Sequence, residues 1–287
     1  WGMGLGNQPP TPIPHPPSPK MLVDYHTHTS FSADSNAAME DQCRAAIKRG
    51  VKQIAFTEHE DYNPDDPTSF YFQHEEYWKE IQRCRALFDG QLIVRAAIEI
   101  SEPHRHKQKT ADILAKYPWD YALGSLHWVD QKHNTYLPEF FTKFGDWRKS
   151  WRLYFDELTE LASEGEFDVM SHIDYPARYG GEVYGDGYDI RDYEGQVRET
   201  LKTLIKRGKG IEINTSAWRR GLPNPNPPAI VVKWYRELGG EVLAIGTDSH
   251  APKDTGTDFA RAADIARAAG FTQIATFERR RAGFVEI

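Results

Sequence analysis

The chain has 287 residues, 39% hydrophobic and 27% charged, with a formal net charge of −7. This is the balance of an ordinary soluble protein with apolar side chains enough for a sizeable core, at a length that barrels commonly occupy as one domain. The acidic charge argues against general nucleic-acid binding, which relies on dense Lys/Arg patches, and no apolar run approaches the roughly 20 residues that span a bilayer. Residues 1–20, "WGMGLGNQPPTPIPHPPSPK", are proline-heavy and lack apolar periodicity. They are expected to be a flexible or artificially added leader, followed by one domain over residues 21–287. No stretch resembles a signal-peptide core, so a cytoplasmic location is expected.

From Met21 onward, short apolar runs alternate with helical patterns. The strand candidates are "MLVDYH", "QIAFTE", "LIVRAAIEI", "YALGSL", "DVMSHI", "GIEINT" and "VLAIGTD". Between them lie the amphipathic segments "NAAMEDQCRAAIKRG", "EEYWKEIQRCRALFDG", "WRKSWRLYFDELTELASEG", "YEGQVRETLKTLIKRG" and "PAIVVKWYRELGG", most closing on the Gly expected after a helix. Such alternation predicts parallel βα units. Neither G-x-G-x-x-G after the first strand nor G-x-x-x-x-G-K-[ST] occurs, so a closed or nearly closed barrel is favoured over a dinucleotide fold or P-loop. Cys43 and Cys84 lie in helical patterns without CxxC spacing and read as reduced packing residues.

In a barrel of this kind, functional groups gather where the strands end. His26 and His28 follow the first strand, His59 the second, and Glu99 ends the third. His127 follows the fourth, His172 ends the fifth, and Asp248 with His250 close the seventh. On extended backbone, residues i and i+2 share a face, so His26/His28 and Asp248/His250 each offer two ligands to one site. Imidazole and carboxylate donors without Cys suit catalytic Zn²⁺, Fe or Mn²⁺ rather than a thiolate structural site. A single strand-end histidine reads as ordinary hydrogen-bonded packing. The repetition over six strand ends does not. His15, His74, His104, His106 and His133 fall in the leader, at a helix start or in polar loops, and stay outside the set.

Through "HTH", "TEH", "IEI", "GSLH", "SHID" and "GTDSH", the sequence resembles the PHP (polymerase and histidinol phosphatase) superfamily over nearly everything after the leader. "DYHTHTSFSADS", "AFTEHE", "GSLHW" and "ATFERRRAGFVEI" look most like its monofunctional histidinol-phosphate phosphatases. The resemblance implies a distorted (β/α)7 TIM-like barrel carrying three divalent or mixed-valence metal ions at the C-terminal ends of its strands. It also implies one ligand that spacing does not find, Asp34, which alone reads as a turn or helix-cap residue. By motif correspondence, His26, His28, Glu99 and Asp248 would hold one ion, Asp34, His59 and His250 a second, and Glu99, His127 and His172 a third. Asp24 shares the parity of His26 and His28 and fits either ligand orientation or barrel-layer packing.

The implied activity is hydrolysis of L-histidinol phosphate to L-histidinol and phosphate. Multimetal sites suit it because they lower the pKa of bound water, hold phosphoryl oxygens and offset charge on the leaving oxygen. Glu99, Asp248 and His250 are the expected catalytic residues, with His250 or a water as proton donor. Arg178 and Arg219 are expected to bind phosphate, with Arg220 competing for that role. The aromatic loop after His127 either covers the substrate or packs on the barrel rim. The expected partner is a small phosphorylated metabolite, with no nucleic acid and no membrane. Two alternatives stand beside this reading: action on another phosphomonoester or a phosphodiester, and a non-catalytic metal-binding module.

Overall fold

The computed structural model describes residues 21–287, so the leader lies outside the described residues. Seven parallel strands form one sheet: β1 Leu22–Thr27, β2 Val51–Glu60, β3 Ile93–Ser101, β4 Tyr121–Ser125, β5 Val169–Met170, β6 Gly210–Asn214 and β7 Leu243–Gly246. Their spatial order is their chain order. Each is followed by one longer helix: α1 Met39–Lys48, α2 His74–Leu87, α3 Lys107–Lys116, α4 Trp147–Glu164, α5 Glu194–Lys206, α6 Ala229–Glu237 and α7 Phe259–Ala268. The predicted distorted (β/α)7 barrel is therefore the observed architecture, because every apolar strand needs a helix to cover its outer face.

Between β7 and β1 the ladder is broken, and side chains complete the closure. Backbone N–H groups of Asp248 and His28 bond across to His26 and Ser249 at 2.7 and 2.8 Å. Below them Asp24 accepts from the Thr247 N–H (2.9 Å), the Thr247 hydroxyl (2.6 Å) and the Gly256 N–H (2.9 Å). Asp24 thus seals the seam. Gly246 is required here, since a Cβ would lie 2.3 Å from both the His26 Cβ and Glu212 Oε1.

The opposite mouth is plugged. An antiparallel hairpin of β8 Gln273–Glu278 and β9 Arg281–Glu286 brings Phe277 against Tyr121, ring centroids 4.7 Å apart, while the Phe277 N–H donates to the Tyr25 hydroxyl. Its turn places Arg279 and Arg280 at φ 49° and 60°, and Asp120 receives both backbone N–H groups. Among the described residues no helix is long and apolar enough to cross a membrane, and Cys43 and Cys84 are buried free thiols.

Candidate metal centre

All nine predicted ligands meet at the open end of the barrel. Glu99, fully buried at the end of β3, is their centre, and its two oxygens divide five of the histidines between them. Oε2 lies 3.2 Å from His26 Nε2, 3.4 Å from His28 Nε2 and 3.1 Å from His59 Nδ1. Oε1 lies 3.1 Å from His172 Nε2 and 3.7 Å from His127 Nε2, and accepts the Ser125 hydroxyl at 2.6 Å. Asp248 turns Oδ1 toward His28 and His250, 3.6 Å from each. Asp34 Oδ2 stands 2.9 Å from His250 Nε2 and 3.6 Å from His59 Nε2.

The rings are held by their far nitrogens. His26 Nδ1 faces Glu212 Oε1 at 2.7 Å. His28 Nδ1 reaches Ser32 Oγ at 3.2 Å, and Ser32 donates to Glu58 at 2.6 Å. His127 Nδ1 reaches Ser101 Oγ at 2.9 Å, and Ser101 donates to Asp61. Each arrangement places the ring proton on Nδ1 and leaves the Nε2 lone pair facing inward, as a metal ligand requires.

These inward nitrogens fit cations better than they fit one another. With both Nδ1 atoms donating, the 3.0 Å approach of His26 Nε2 to His28 Nε2 sets two lone pairs face to face, which a shared cation relieves. His59 Nδ1 and His250 Nε2 are buried without a hydrogen-bond partner despite the carboxylates beside them. Three ligand trios have atoms mutually within 4.8 Å: His26/His28/Asp248, His26/Glu99/His172 and His28/His59/His250. A fourth, His59/Asp61/His127, introduces Asp61.

Electrostatics divide the set: burial opposes charge on His26, His59 and His250, yet the carboxylates beside them hold all three above their ordinary value. Burial opposes charge on Glu99, yet His26 and His59 hold its carboxyl well below the usual range. Burial, reinforced by His250 and His59, pushes His28 well below its ordinary value, and burial pushes His127 down to about 3. Neutral imidazole and ionised carboxylate are the ligating forms.

Several local expectations need revision. Asp248 has φ 52°, so strand alternation does not explain the Asp248/His250 pair; a left-handed turn brings them together. The fifth strand ends at Met170, before His172, whose backbone N–H bonds Glu212 at 3.0 Å. Asp34 caps no helix, since α1 starts at Met39 behind Ala38 and has no side-chain cap. Glu58, accepting from Thr29 and Ser32, instead folds the turn that carries Asp34 inward. The loop after His127 buries Phe140 and Phe141 on the rim while Tyr136 stays half-buried.

A cavity of about 470 Å³ over the cluster is lined by Arg178, Arg219 and Arg220. Arg178 donates one bond from each of its three nitrogens, to Asn226 (2.7 Å), Asp248 (2.8 Å) and Asn214 (2.9 Å). Arg219 holds the backbone carbonyls of Thr247 and Asp248. Arg220 rests on the Tyr179 ring, 5.2 Å from its centroid, and its backbone N–H donates to the Ala217 carbonyl at 3.1 Å. His104 pairs with Glu157, and His74 with Glu60, both outside the cluster. Sequence reasoning missed Glu212 and Asn214, whose signal was acidic and amide side chains at alternate positions of the otherwise apolar strand "GIEINT".

The fold and this cluster define a barrel with a histidine–carboxylate metal centre at its strand ends. The chain belongs to the PHP domain family, whose sequence pattern matches residues 24–216. A histidinol-phosphatase of Lactococcus lactis is 29% identical over 259 residues, covering 89% of this chain and 94% of that one. A Clostridium acetobutylicum protein bearing the name "Probable histidinol-phosphatase" is 31% identical over 261 residues, covering 91% and 98%. The crystal structure of the Lactococcus lactis histidinol phosphate phosphatase, complexed with zinc, L-histidinol and phosphate, superposes with a TM-score of 0.83 at 27% identity, covering 91% of this chain and 98% of that one.

Proposed function

We infer that the chain is a metal-dependent phosphomonoesterase converting L-histidinol phosphate to L-histidinol and phosphate, a step of histidine biosynthesis. The observation that carries this reading is the division of the ligands between the two Glu99 oxygens beneath an arginine-lined cavity. The histidinol phosphatases similar over nearly the whole chain support the same substrate.

Three ions of zinc, iron or manganese are the proposed complement, held by His26, His28, Asp34, His59, Glu99, His127, His172, Asp248 and His250. Bound there, they would supply water activation and charge neutralisation at phosphorus. The protein's own groups do the rest. Glu99 joins the two halves of the cluster. Asp248 presents Oδ1 to the reacting centre while Arg178 fixes Oδ2. His250, on the more exposed side beside Asp34, is assigned to proton transfer at the departing alkoxide. Arg178, Arg219 and Arg220 form the positive wall that receives the phosphate oxygens. A cytoplasmic location accompanies this biosynthetic role.

Metal-loaded protein assayed on a panel of phosphate esters tests the assignment. The expected result is a preference for L-histidinol phosphate over other monoesters. Faster hydrolysis of diesters would reverse it.

A further inference from the structure

Arg178 is held in the cavity wall by a residue outside that wall. Asn226, buried in the loop after β6, accepts the Arg178 Nε–H on Oδ1 at 2.7 Å. Its Nδ2 donates in turn to Asp174, at 2.8 Å to the carboxylate Oδ1 and at 3.2 Å to the backbone carbonyl. These neighbours orient the amide, because a guanidinium only donates and a backbone carbonyl only accepts. The backbone of Asn226 is held as firmly. It exchanges two hydrogen bonds with Asn214, at 2.8 and 3.0 Å, which tie it to the end of β6. Prolines on both sides, in "PNPNPP", narrow its conformational range further.

The Nε bond has a geometric consequence. Arg178 Nη1 donates to Asp248 Oδ2 at 2.8 Å and Nη2 to Asn214 Oδ1 at 2.9 Å. Two anchored points leave a planar group free to tilt about the line joining them. The bond to Asn226 is the third point, and it fixes the plane. One N–H on each Nη is then left for a phosphate oxygen, and the plane decides where both point.

Asn226 does not line the arginine cavity. With Asp174 it helps to line a separate one of about 250 Å³, beside Tyr184, Tyr188 and Pro225. None of its hydrogen bonds reaches any of the nine proposed ligands. Its route to the reacting centre is therefore Arg178. We propose that Asn226 is a positioning residue for the reaction, setting the plane of the Arg178 guanidinium from behind the cavity wall. This rests on the phosphomonoesterase reading above.

The test is a double-mutant cycle on L-histidinol phosphate with zinc-loaded wild type, Asn226→Ala, Arg178→Lys and the protein carrying both changes. Asn226→Ala should lower kcat/KM by roughly tenfold, the scale of one hydrogen bond to a charged group. The loss falls on kcat, and zinc content stays that of wild type. In the Arg178→Lys background, where no guanidinium plane remains to be set, the same substitution should cost less than about twofold. Should Asn226→Ala fail to fold, Asn226→Ser, whose single hydroxyl cannot span Arg178 and Asp174, takes its place. Wild-type kinetics in the single variant, or an equal loss in both backgrounds, would overturn the proposal and spare the assigned reaction. A wild type inactive on phosphomonoesters would overturn both.

Discussion

His26 Nδ1 lies 2.7 Å from Glu212 Oε1, and the other oxygen of Glu212 accepts the backbone N–H of His172 at 3.0 Å. One carboxylate at the barrel centre therefore orients a ring on β1 and fixes the backbone after β5. Glu212→Gln keeps the shape but removes the charge that makes the His26 imidazole a strong donor to metal. Zinc affinity, measured by competition with a chromophoric chelator, should fall by roughly 10- to 100-fold. Wild-type affinity in that variant would reduce Glu212 to a packing residue.

Arg178 satisfies three acceptors from three directions, among them Asp248 Oδ2. Lysine keeps the charge and cannot reproduce the fork. Arg178→Lys should lower kcat by roughly tenfold or more, the effect of losing one charged hydrogen bond of about 1.5–3 kcal/mol. Steady-state kinetics on zinc-loaded protein read this directly, and an unchanged kcat would contradict the assigned role.

Dialysis against a strong chelator should abolish hydrolysis and lower the thermal midpoint, because the cluster's nitrogens and carboxylates then face one another without a cation. Elemental analysis after reconstitution should find three ions per chain. Two ions in a fully active protein would remove one of the proposed sites. Parallel reconstitution with zinc, manganese and iron(II) ranks the metals by turnover.

Glu157, on α4, accepts from His104, Arg105 and the Asp130 N–H. Burial alone would raise its carboxyl, but these donors hold it below the ordinary value of 4.5. A depressed folded pKa contributes stability that is present above the unfolded value and lost as pH falls through the folded one. Wild type should therefore melt above Glu157→Gln at neutral pH, with the gap narrowing below pH 4.5. A gap that is constant with pH would show that charge is not what Glu157 contributes.

Much of this was legible before folding. Strand alternation and helical periodicity locate all seven strands and five of the seven long helices. Two helices escape the pattern for physical reasons: α3 buries only Thr110 and Ile113, and α7 presents mainly alanine to the core. The closing hairpin was hidden because its left-handed turn uses Arg279 and Arg280 rather than glycine or asparagine, with Asp120, just before β4, supplying the compensation from far away in sequence. Ligands at strand ends announced themselves by repetition. Asp34 could not, since its direction is set by Glu58 and Ser32 through contacts across the β1–β2 boundary. Glu212 was silent because its partners, His26 and His172, are 186 and 40 residues away in sequence.

The seam between β1 and β7 gives the metal centre a position in time as well as in space. His26 and His28 stand on one side of it, Asp248 and His250 on the other, and Asp24 joins the sides through Thr247 and Gly256. A chain emerging from the ribosome carries the first pair long before the second is synthesised. Full coordination thus waits for translation to pass residue 256 and for the most distant strands to meet. Complete coordination, rather than metal capture as such, becomes the mark that the ring has closed, and a polypeptide stopped before Asp248 carries seven of the nine proposed ligands.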